Sequence, residues 1–191
     1  MTMPRIFTVG HGTRSVEELV LLLGEGPADT LVDVRRFPGS RRSPHLARPA
    51  LAAALPALGV TYVFRGDELG GRRSGQAGSP HVALREASFR AYADHMETPA
   101  FQAALGELEA DARAGRRVAV MCAETVWWRC HRRLIADALV VRGVEVIHLI
   151  GPGKHARHAL EASARVEGSG SRLIYDVGAQ GELPLGGERD A

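Results

Sequence analysis

The segment between residues 118 and 133 concentrates side chains that can do chemistry. Its apolar run from Val118 to Cys122 is typical of a buried strand, and the periodic apolar stretch at 134–141 predicts a helix. Reactive and aromatic side chains lie between the two elements: Cys122, Glu124, Trp127, Trp128, Cys130, His131 and Arg132. Ligands of open α/β sheets bind beyond the carboxyl ends of strands, so we expect a functional site here.

Cys122 is the first candidate for chemistry. A cysteine where a strand meets a helix can be held as a thiolate by the helix dipole and by cations such as Arg132. Phosphotyrosine phosphatases and rhodaneses share this layout, with a catalytic cysteine and a loop of small residues whose N–H groups cradle an anion. This loop has no glycine and carries Glu124, which would repel phosphate. We therefore consider Cys122 as a nucleophile and Glu124 as a general acid or base, and a packing role for Cys122 stays open.

Two other predicted strands also end in polar residues. Asp33 lies one residue before the end of the predicted strand at 30–34, and His11 and Arg14 follow a run at 5–9. Asp33 and His11 are candidates for proton transfer, with an ion pair that anchors the loop as the alternative for Asp33. The turn around His11 resembles half of a dinucleotide fingerprint, but Ser15 stands where its third glycine belongs. We predict no cofactor.

Arginines and tryptophans favour an anionic, flat ligand. Guanidinium groups bind phosphates and carboxylates bidentately, and indoles stack on nucleobases. Arginines cluster after the second predicted strand, at Arg35, Arg36, Arg41, Arg42 and Arg48. Alternatively, the arginines only reflect the composition of the chain, in which arginine replaces lysine at every basic position except Lys154.

A zinc site is a further possibility that the spacing argues against. Cys122, Cys130 and His131, with His11 or His45 added, are suitable ligand types. The chain has no Cys-x-x-Cys motif, and the adjacent residues Cys130 and His131 on a helix would point to different faces. We therefore predict no metal site.

The elements that position these residues alternate between strands and helices. Predicted strands lie at 5–9, 30–34, 60–64, 117–122 and 144–149, and a capping box at Ser15 and Glu18 begins the first helix. Apolar strands alternating with helices indicate a parallel sheet covered on both faces. We predict one three-layer α/β domain at residues 1–176, with a mostly parallel sheet of about five strands, and a disordered tail at 177–191.

Bulk properties are those of an ordinary globular domain. The chain has 191 residues, 45% of them hydrophobic, and a formal net charge of +2. No apolar run approaches the roughly 20 residues that span a bilayer, and the N-terminus lacks a signal-peptide pattern. Two cysteines argue against a disulfide scaffold, so we expect a cytoplasmic protein without a membrane partner.

The ordered set of motifs resembles the DUF488 family. The motifs are Gly10-His11 with Arg14, Asp33-Val34-Arg35, Pro38-Gly39-Ser40-Arg41, Pro44-His45, Leu69-Gly70-Gly71, Cys122-Ala123-Glu124 and Cys130-His131-Arg132. The resemblance runs from about residue 6 to about residue 150. It implies an α/β domain whose polar signature residues gather at one end of the sheet, and it supplies no reaction.

These observations support three hypotheses of function. The leading one is a hydrolytic or group-transfer enzyme that acts on a nucleotide or a nucleic-acid base. The alternatives are a nucleic-acid or nucleotide binding module without catalysis and a redox switch formed by the two thiols. The candidate catalytic residues are Cys122, Glu124, Asp33 and His11. The candidate ligand-binding residues are Arg14, Arg35, Ser40, Arg41, His45, Trp127, Trp128, Cys130, His131 and Arg132.

Overall fold

A six-stranded sheet forms the centre of the protein. The computed structural model describes residues 3–39, 43–168 and 172–178. The strands are β1 (Arg5–Gly10), β2 (Thr30–Asp33), β3 (Thr61–Phe64), β4 (Val118–Cys122), β5 (Glu145–Gly151) and β6 (Lys154–Arg157). Their spatial order is β3-β2-β4-β1-β5-β6, and neighbouring strands are parallel except for the antiparallel pair β5 and β6. The predicted mostly parallel sheet is confirmed, with one more strand than expected.

Helices cover both faces of this sheet. They are α1 (Val16–Glu25), α2 (Arg48–Ala57), the single turn α3 (Gly66–Leu69), α4 (Ala87–Met96), α5 (Pro99–Arg113) and α6 (Arg132–Val141). One buried apolar cluster joins α1 and α2 to one face, and a second joins α4, α5 and α6 to the other. The predicted three-layer α/β architecture is therefore confirmed.

The sequence predicts helices at 81–96 and 129–142, and both begin later in the structure. Residues 81–86 precede α4 without being helical, and Ala83 N there donates to the Tyr175 carbonyl oxygen of another strand at 2.9 Å. That strand, β8 (Arg172–Tyr175), pairs with β7 (Ala164–Glu167) in a separate two-stranded sheet. Before α6, a 3-10 turn at Trp127–Arg129 and an extended residue replace the expected first helical turn.

Some predictions concern residues beyond the described ranges. Ser40 and Arg41 lie outside them, as does the predicted tail from residue 179 onward. Among the helices of the described ranges, none is long and apolar enough to cross a membrane.

The register of the sheet brings three strand ends together. Gly10 of β1 pairs with Cys122 of β4, and Asp33 of β2 pairs with the residue before Cys122. Beyond the strands, His11 N donates to the Cys122 carbonyl oxygen at 3.0 Å. A Cβ on Gly10 would lie 2.1 Å from the Glu124 carbonyl oxygen, so only glycine permits this close passage of the two loops.

Candidate functional site

A cavity of about 620 Å³ opens at the carboxyl ends of β1, β2 and β4. Residues of the loops after these strands meet there with residues of the α3–α4 connection and of α4. The lining consists of Gly12, Arg35, Arg36, Phe37, Gly71, Arg72, Glu86, Ser88, Phe89, Tyr92, Cys122, Ala123, Glu124, Thr125, Arg129, Cys130 and His131. A pocket of this size at this edge of a parallel sheet is the expected ligand site of an open α/β fold.

Two thiols and an imidazole converge at one wall of this cavity. His131 Nδ1 lies 4.0 Å from Cys122 Sγ and 3.7 Å from Cys130 Sγ, and the three donor atoms all lie within 4.8 Å of one another. Both cysteines are buried and free of disulfides. The redox hypothesis stays a prediction, because a disulfide needs about 2 Å between the sulfurs and they would have to approach one another to form it.

The backbone explains why the neighbours Cys130 and His131 face the same point. Cys130 is extended, with φ −123° and ψ 149°, and His131 already has the helical values φ −57° and ψ −17°. The expectation that both would sit on one helix and point apart is wrong, because the helix begins only after them.

The two thiols share their protons unequally. The hydrogen bond between them, with the proton on Cys122, and burial both raise the pKa of Cys122 well above its ordinary value. The same hydrogen bond lowers the pKa of Cys130; burial opposes this shift, and the hydrogen bond from His131 and the charge of Arg132 reinforce it. Of the two thiols, Cys130 is therefore the more readily ionised, and it lies next to the thiol named as the candidate nucleophile.

Arg132 supplies the positive charge behind this cluster. Its side chain is only 1% exposed. Its Nε donates to Cys130 Sγ at 3.5 Å and its Nη2 donates to the Glu124 carbonyl oxygen, while no carboxylate of the described residues pairs with it. An unpaired buried charge costs several kcal/mol, so negative charge on the cysteines is the natural counterpart of Arg132.

Asp33 and Arg35 form a buried ion pair under the cavity. Asp33 is 0% exposed and accepts from Arg35 Nε at 2.8 Å, from Arg35 Nη2 at 2.6 Å and from the Arg35 backbone N at 3.0 Å. The Tyr62 hydroxyl donates to the same carboxylate at 2.6 Å. Proton transfer by Asp33 stays a prediction, and these contacts show that it orients Arg35.

His11 completes this group as a neutral ring. Its Nδ1 lies 2.9 Å from the Gly12 carbonyl oxygen and so carries the proton, which leaves Nε2 to accept from Arg35 Nη1 at 2.9 Å. Burial and the charge of Arg35 lower the pKa of His11, in agreement with this tautomer. Three of the five N–H groups of Arg35 are used in these contacts, and one N–H on each terminal nitrogen is left for the cavity.

The cavity rim carries more positive than negative charge. The guanidinium groups of Arg36, Arg72 and Arg129 line it together with the carboxylates of Glu86 and Glu124. Arg36 Nη1 donates to the Arg72 carbonyl oxygen at 2.7 Å, and Arg72 has a positive φ of 57°, unusual for a residue other than glycine. Arg72 thus lines the cavity in a backbone conformation that favours glycine.

Several predicted site residues lie away from the cavity lining. Arg14 donates to the carbonyl oxygens of Gly10 at 2.6 Å and Ile150 at 2.9 Å, so it ties together the ends of β1 and β5. His45 Nε2 contacts the Arg14 carbonyl oxygen at 3.1 Å. Neither tryptophan lines the cavity, although Trp128 is 51% exposed on the surface.

Trp127 instead covers a buried chain of polar groups. Its indole stacks on His148 with ring centroids 4.1 Å apart. His158 Nε2 lies 2.9 Å from Asp137 Oδ1 and so donates to it, which makes His148 Nε2 the donor to His158 Nδ1 at 3.0 Å. The Thr8 hydroxyl then donates to His148 Nδ1 at 2.7 Å. Burial and the adjacent His158 lower the pKa of His148 to about 3, as a neutral ring in this chain requires.

The structure thus sorts the predicted residues into three groups. The cavity lining includes Arg35, Cys122, Glu124, Cys130 and His131, and the layer beneath it includes His11, Asp33 and Arg132. Arg14, His45, Trp127 and Trp128 lie outside the lining.

Sequence reasoning missed the aromatic part of the lining, which is Phe37, Phe89 and Tyr92. Phe89 and Tyr92 belong to α4, whose apolar spacing reads as ordinary core, and the sequence held no signal for their second role. Gly71 belongs to the motif Leu69-Gly70-Gly71, but only the fold shows that it reaches the cavity together with Arg72.

A comparison with protein families identifies the chain's relatives. A family model described as Domain of unknown function DUF488 matches residues 15–139, more than half of the chain. The chain belongs to the DUF488 family. The DUF488 match contains Asp33, Arg35 and the whole segment from Cys122 to Arg132, whereas His11 and Arg14 precede it. No curated protein and no solved structure matches the chain.

Proposed function

We propose that this DUF488 protein is an enzyme that carries out hydrolysis or group transfer on a nucleotide, or on a base of nucleic acid, bound in the cavity. The observation that carries the proposal is the arginine-rich rim above a wall formed by Cys122, Cys130, His131 and Glu124. Reactive groups and anion-binding groups then face one cavity, which is the arrangement an enzyme for anionic substrates needs.

The charge of the lining supports an anionic ligand. Asp33 compensates the charge of Arg35, which leaves the three guanidinium groups of Arg36, Arg72 and Arg129 against two carboxylates. A phosphate at the rim would meet these flexible cations, while Arg35 offers it fixed N–H donors. The volume of about 620 Å³ lies in the range of sites for nucleotide-sized molecules.

The aromatic lining supports a flat portion of the ligand. Phe37 is 62% exposed at the rim, and the guanidinium of Arg36 lies 5.4 Å from its ring centroid. An exposed ring beside a cation suits stacking against a base that is attached to phosphate. Phe37 therefore takes the stacking role that the sequence had suggested for the tryptophans.

Glu124 is the accessible acid or base of the proposed reaction. Its side chain is exposed in the cavity, where Oε1 accepts from Val126 N at 3.3 Å and the carboxylate keeps further lone pairs. It stands two residues beyond Cys122, so it can serve a group held at the cysteine wall. A cytoplasmic location is part of the proposal, because free cysteines are typical of proteins in a reducing compartment.

The test is a panel of nucleoside mono-, di- and triphosphates and short oligonucleotides, with binding measured by calorimetry and products by mass spectrometry. Arg72→Gly keeps the positive φ and removes a rim guanidinium, and Arg129→Ala removes another; both should weaken binding at least tenfold. Arg157→Ala, at a surface arginine paired with Glu145, is the matched control. Glu124→Gln should bind normally and lose turnover.

Two outcomes would contradict the proposal. If no member of the panel binds, or if binding is unchanged in the Arg72 and Arg129 variants, the cavity is not an anion site. If binding is specific but no member is converted, the protein is a binding module. Steep weakening of oligonucleotide binding with salt would then point to several phosphate contacts.

A further inference from the structure

We infer that Cys122, Cys130 and His131 bind a zinc ion whose fourth coordination position opens into the cavity. This inference deepens the proposed function, since it names the group that would serve a hydrolytic reaction there. Within the described ranges, these three residues are the one cluster of metal-ligand side chains that converges to within 4.8 Å.

The donor types select the metal. Two thiols and an imidazole form the soft, nitrogen-containing set that zinc prefers, whereas magnesium and calcium prefer oxygen ligands. A tetrahedral zinc site places thiolate sulfur about 3.6 Å from imidazole nitrogen and about 3.8 Å from a second sulfur. The observed separations of 3.7 and 4.0 Å between His131 Nδ1 and the sulfurs are within a few tenths of an ångström of this geometry.

Three protein ligands are typical of a catalytic rather than a purely structural zinc site. Structural zinc sites have four protein ligands, and catalytic sites have three with the fourth position free for water or substrate. All three residues of the cluster line the cavity, so the remaining position faces the space where the ligand would lie. An anionic ligand held by the rim would be placed next to the metal.

Charge balance agrees with this arrangement. Two thiolates neutralise a zinc ion, and an anion in the fourth position leaves one negative charge. The buried guanidinium of Arg132, whose Nε donates to Cys130 Sγ, offsets that charge. Donors to a ligating thiolate are a usual part of the surroundings of a metal site.

Gly71, in the loop before α4, lies against the His131 ring. A Cβ on Gly71 would lie 2.9 Å from His131 Nδ1, so the absence of a side chain at 71 keeps that nitrogen in place beside the sulfurs. The imidazole ring also contacts Tyr92, with ring centroids 4.9 Å apart. His131 is thus held in position before any metal arrives.

The test begins with the unaltered full chain, so that it does not depend on the folding of a variant. The protein is purified without chelator, its zinc is measured by elemental mass spectrometry, and the apo protein is titrated with Co²⁺. We expect one metal per chain, the visible bands of tetrahedral Co²⁺ and a thiolate-to-cobalt charge-transfer band. Substoichiometric zinc, or a cobalt spectrum without the charge-transfer band, would overturn the inference.

Variants then assign the ligands. Cys122→Ser, Cys130→Ser and His131→Ala should each weaken Co²⁺ binding by more than about 100-fold, since loss of a mere outer partner already costs 10 to 100-fold. His155→Ala changes a surface histidine paired with Glu25 and should bind Co²⁺ as the unaltered chain does. Unchanged affinity in a folded cysteine variant would refute the assignment.

The outcomes separate this inference from the proposed function. Nucleotide binding that requires Arg72 in a protein without metal would leave the proposed function standing and remove the zinc. One zinc per chain with no nucleotide bound or converted would support the zinc site and remove the proposed function.

Discussion

Replacing Asp33 with asparagine tests whether a buried ion pair organises the cavity floor. The substitution keeps the shape of the side chain and removes its charge. The carboxylate now receives four hydrogen bonds, three from Arg35 and one from Tyr62. An amide has only one oxygen, so its NH₂ group would face N–H donors of Arg35 and leave that guanidinium buried without a counter-charge.

The expected loss is large because neither partner can reach water. Asp33 is 0% exposed and Arg35 is 7% exposed. Breaking a buried pair by removing one partner costs about 3–5 kcal/mol, a large share of the roughly 5–15 kcal/mol that stabilises a typical domain. Replacing both residues, as Asp33→Asn with Arg35→Met, should cost less than Asp33→Asn alone, because no uncompensated charge remains.

Urea unfolding followed by circular dichroism at neutral pH measures these free energies. Asp29→Asn is the matched control, since Asp29 pairs with Arg117 at the surface and should contribute at most about 1 kcal/mol. If Asp33→Asn costs no more than this control, Asp33 does not hold Arg35 in a buried pair. A double variant less stable than the single one would refute the argument from uncompensated charge.

Three further predictions concern a cavity wall, a helix terminus and a buried ring. Gly71→Ala should push His131 aside and weaken Co²⁺ binding about tenfold or more, measured by chelator competition, whereas Gly24→Ala, with no atom within 4 Å of its added Cβ, should not. Ser15→Ala removes the capping-box hydroxyl of α1 and should lower the free energy of urea unfolding by about 0.5–2 kcal/mol. The pKa of His148 falls from 6.5 to about 3 on folding because the ring is buried, so below pH 6.5 the unfolded chain binds the extra proton. His148 should therefore leave the free energy of unfolding unchanged above pH 6.5 and lower it by about 1.4 kcal/mol per pH unit between pH 6.5 and about pH 3, a slope that His148→Phe should reduce.

The strands and their polar ends could be predicted because their signals are local. Apolar runs ending in Cys122 and Asp33 mark buried parallel strands, and the capping box at Ser15 marks the start of a helix. Because the strands are parallel, their carboxyl ends must meet at the same edge of the sheet. The sixth strand lacked such a signal, because Lys154–Arg157 is a short edge strand with mostly exposed side chains.

The arrangement of the cysteine cluster could not be predicted from spacing. Its convergence depends on one change of backbone conformation, from extended at Cys130 to helical at His131. Hydrophobic periodicity reports which face of a regular element is buried, and it carries no information about the last residue before a helix begins. The same limit applies to Trp127, whose stacking partner His148 comes from a strand that only the fold places beside it.

The buried arginines of the site are paired with negative groups, whereas the arginines at the rim carry its excess positive charge. Arg35 is matched by the buried Asp33, and the buried Arg132 has the cysteines as its counter-charge, so these guanidinium groups fix geometry without leaving excess charge. The excess belongs to the rim, where arginines outnumber carboxylates and are in contact with water. Salt screens exposed charges far more than buried ones. Raising the ionic strength should therefore weaken capture of an anionic ligand at the rim while leaving the cysteine cluster, its metal affinity and the floor of the cavity intact.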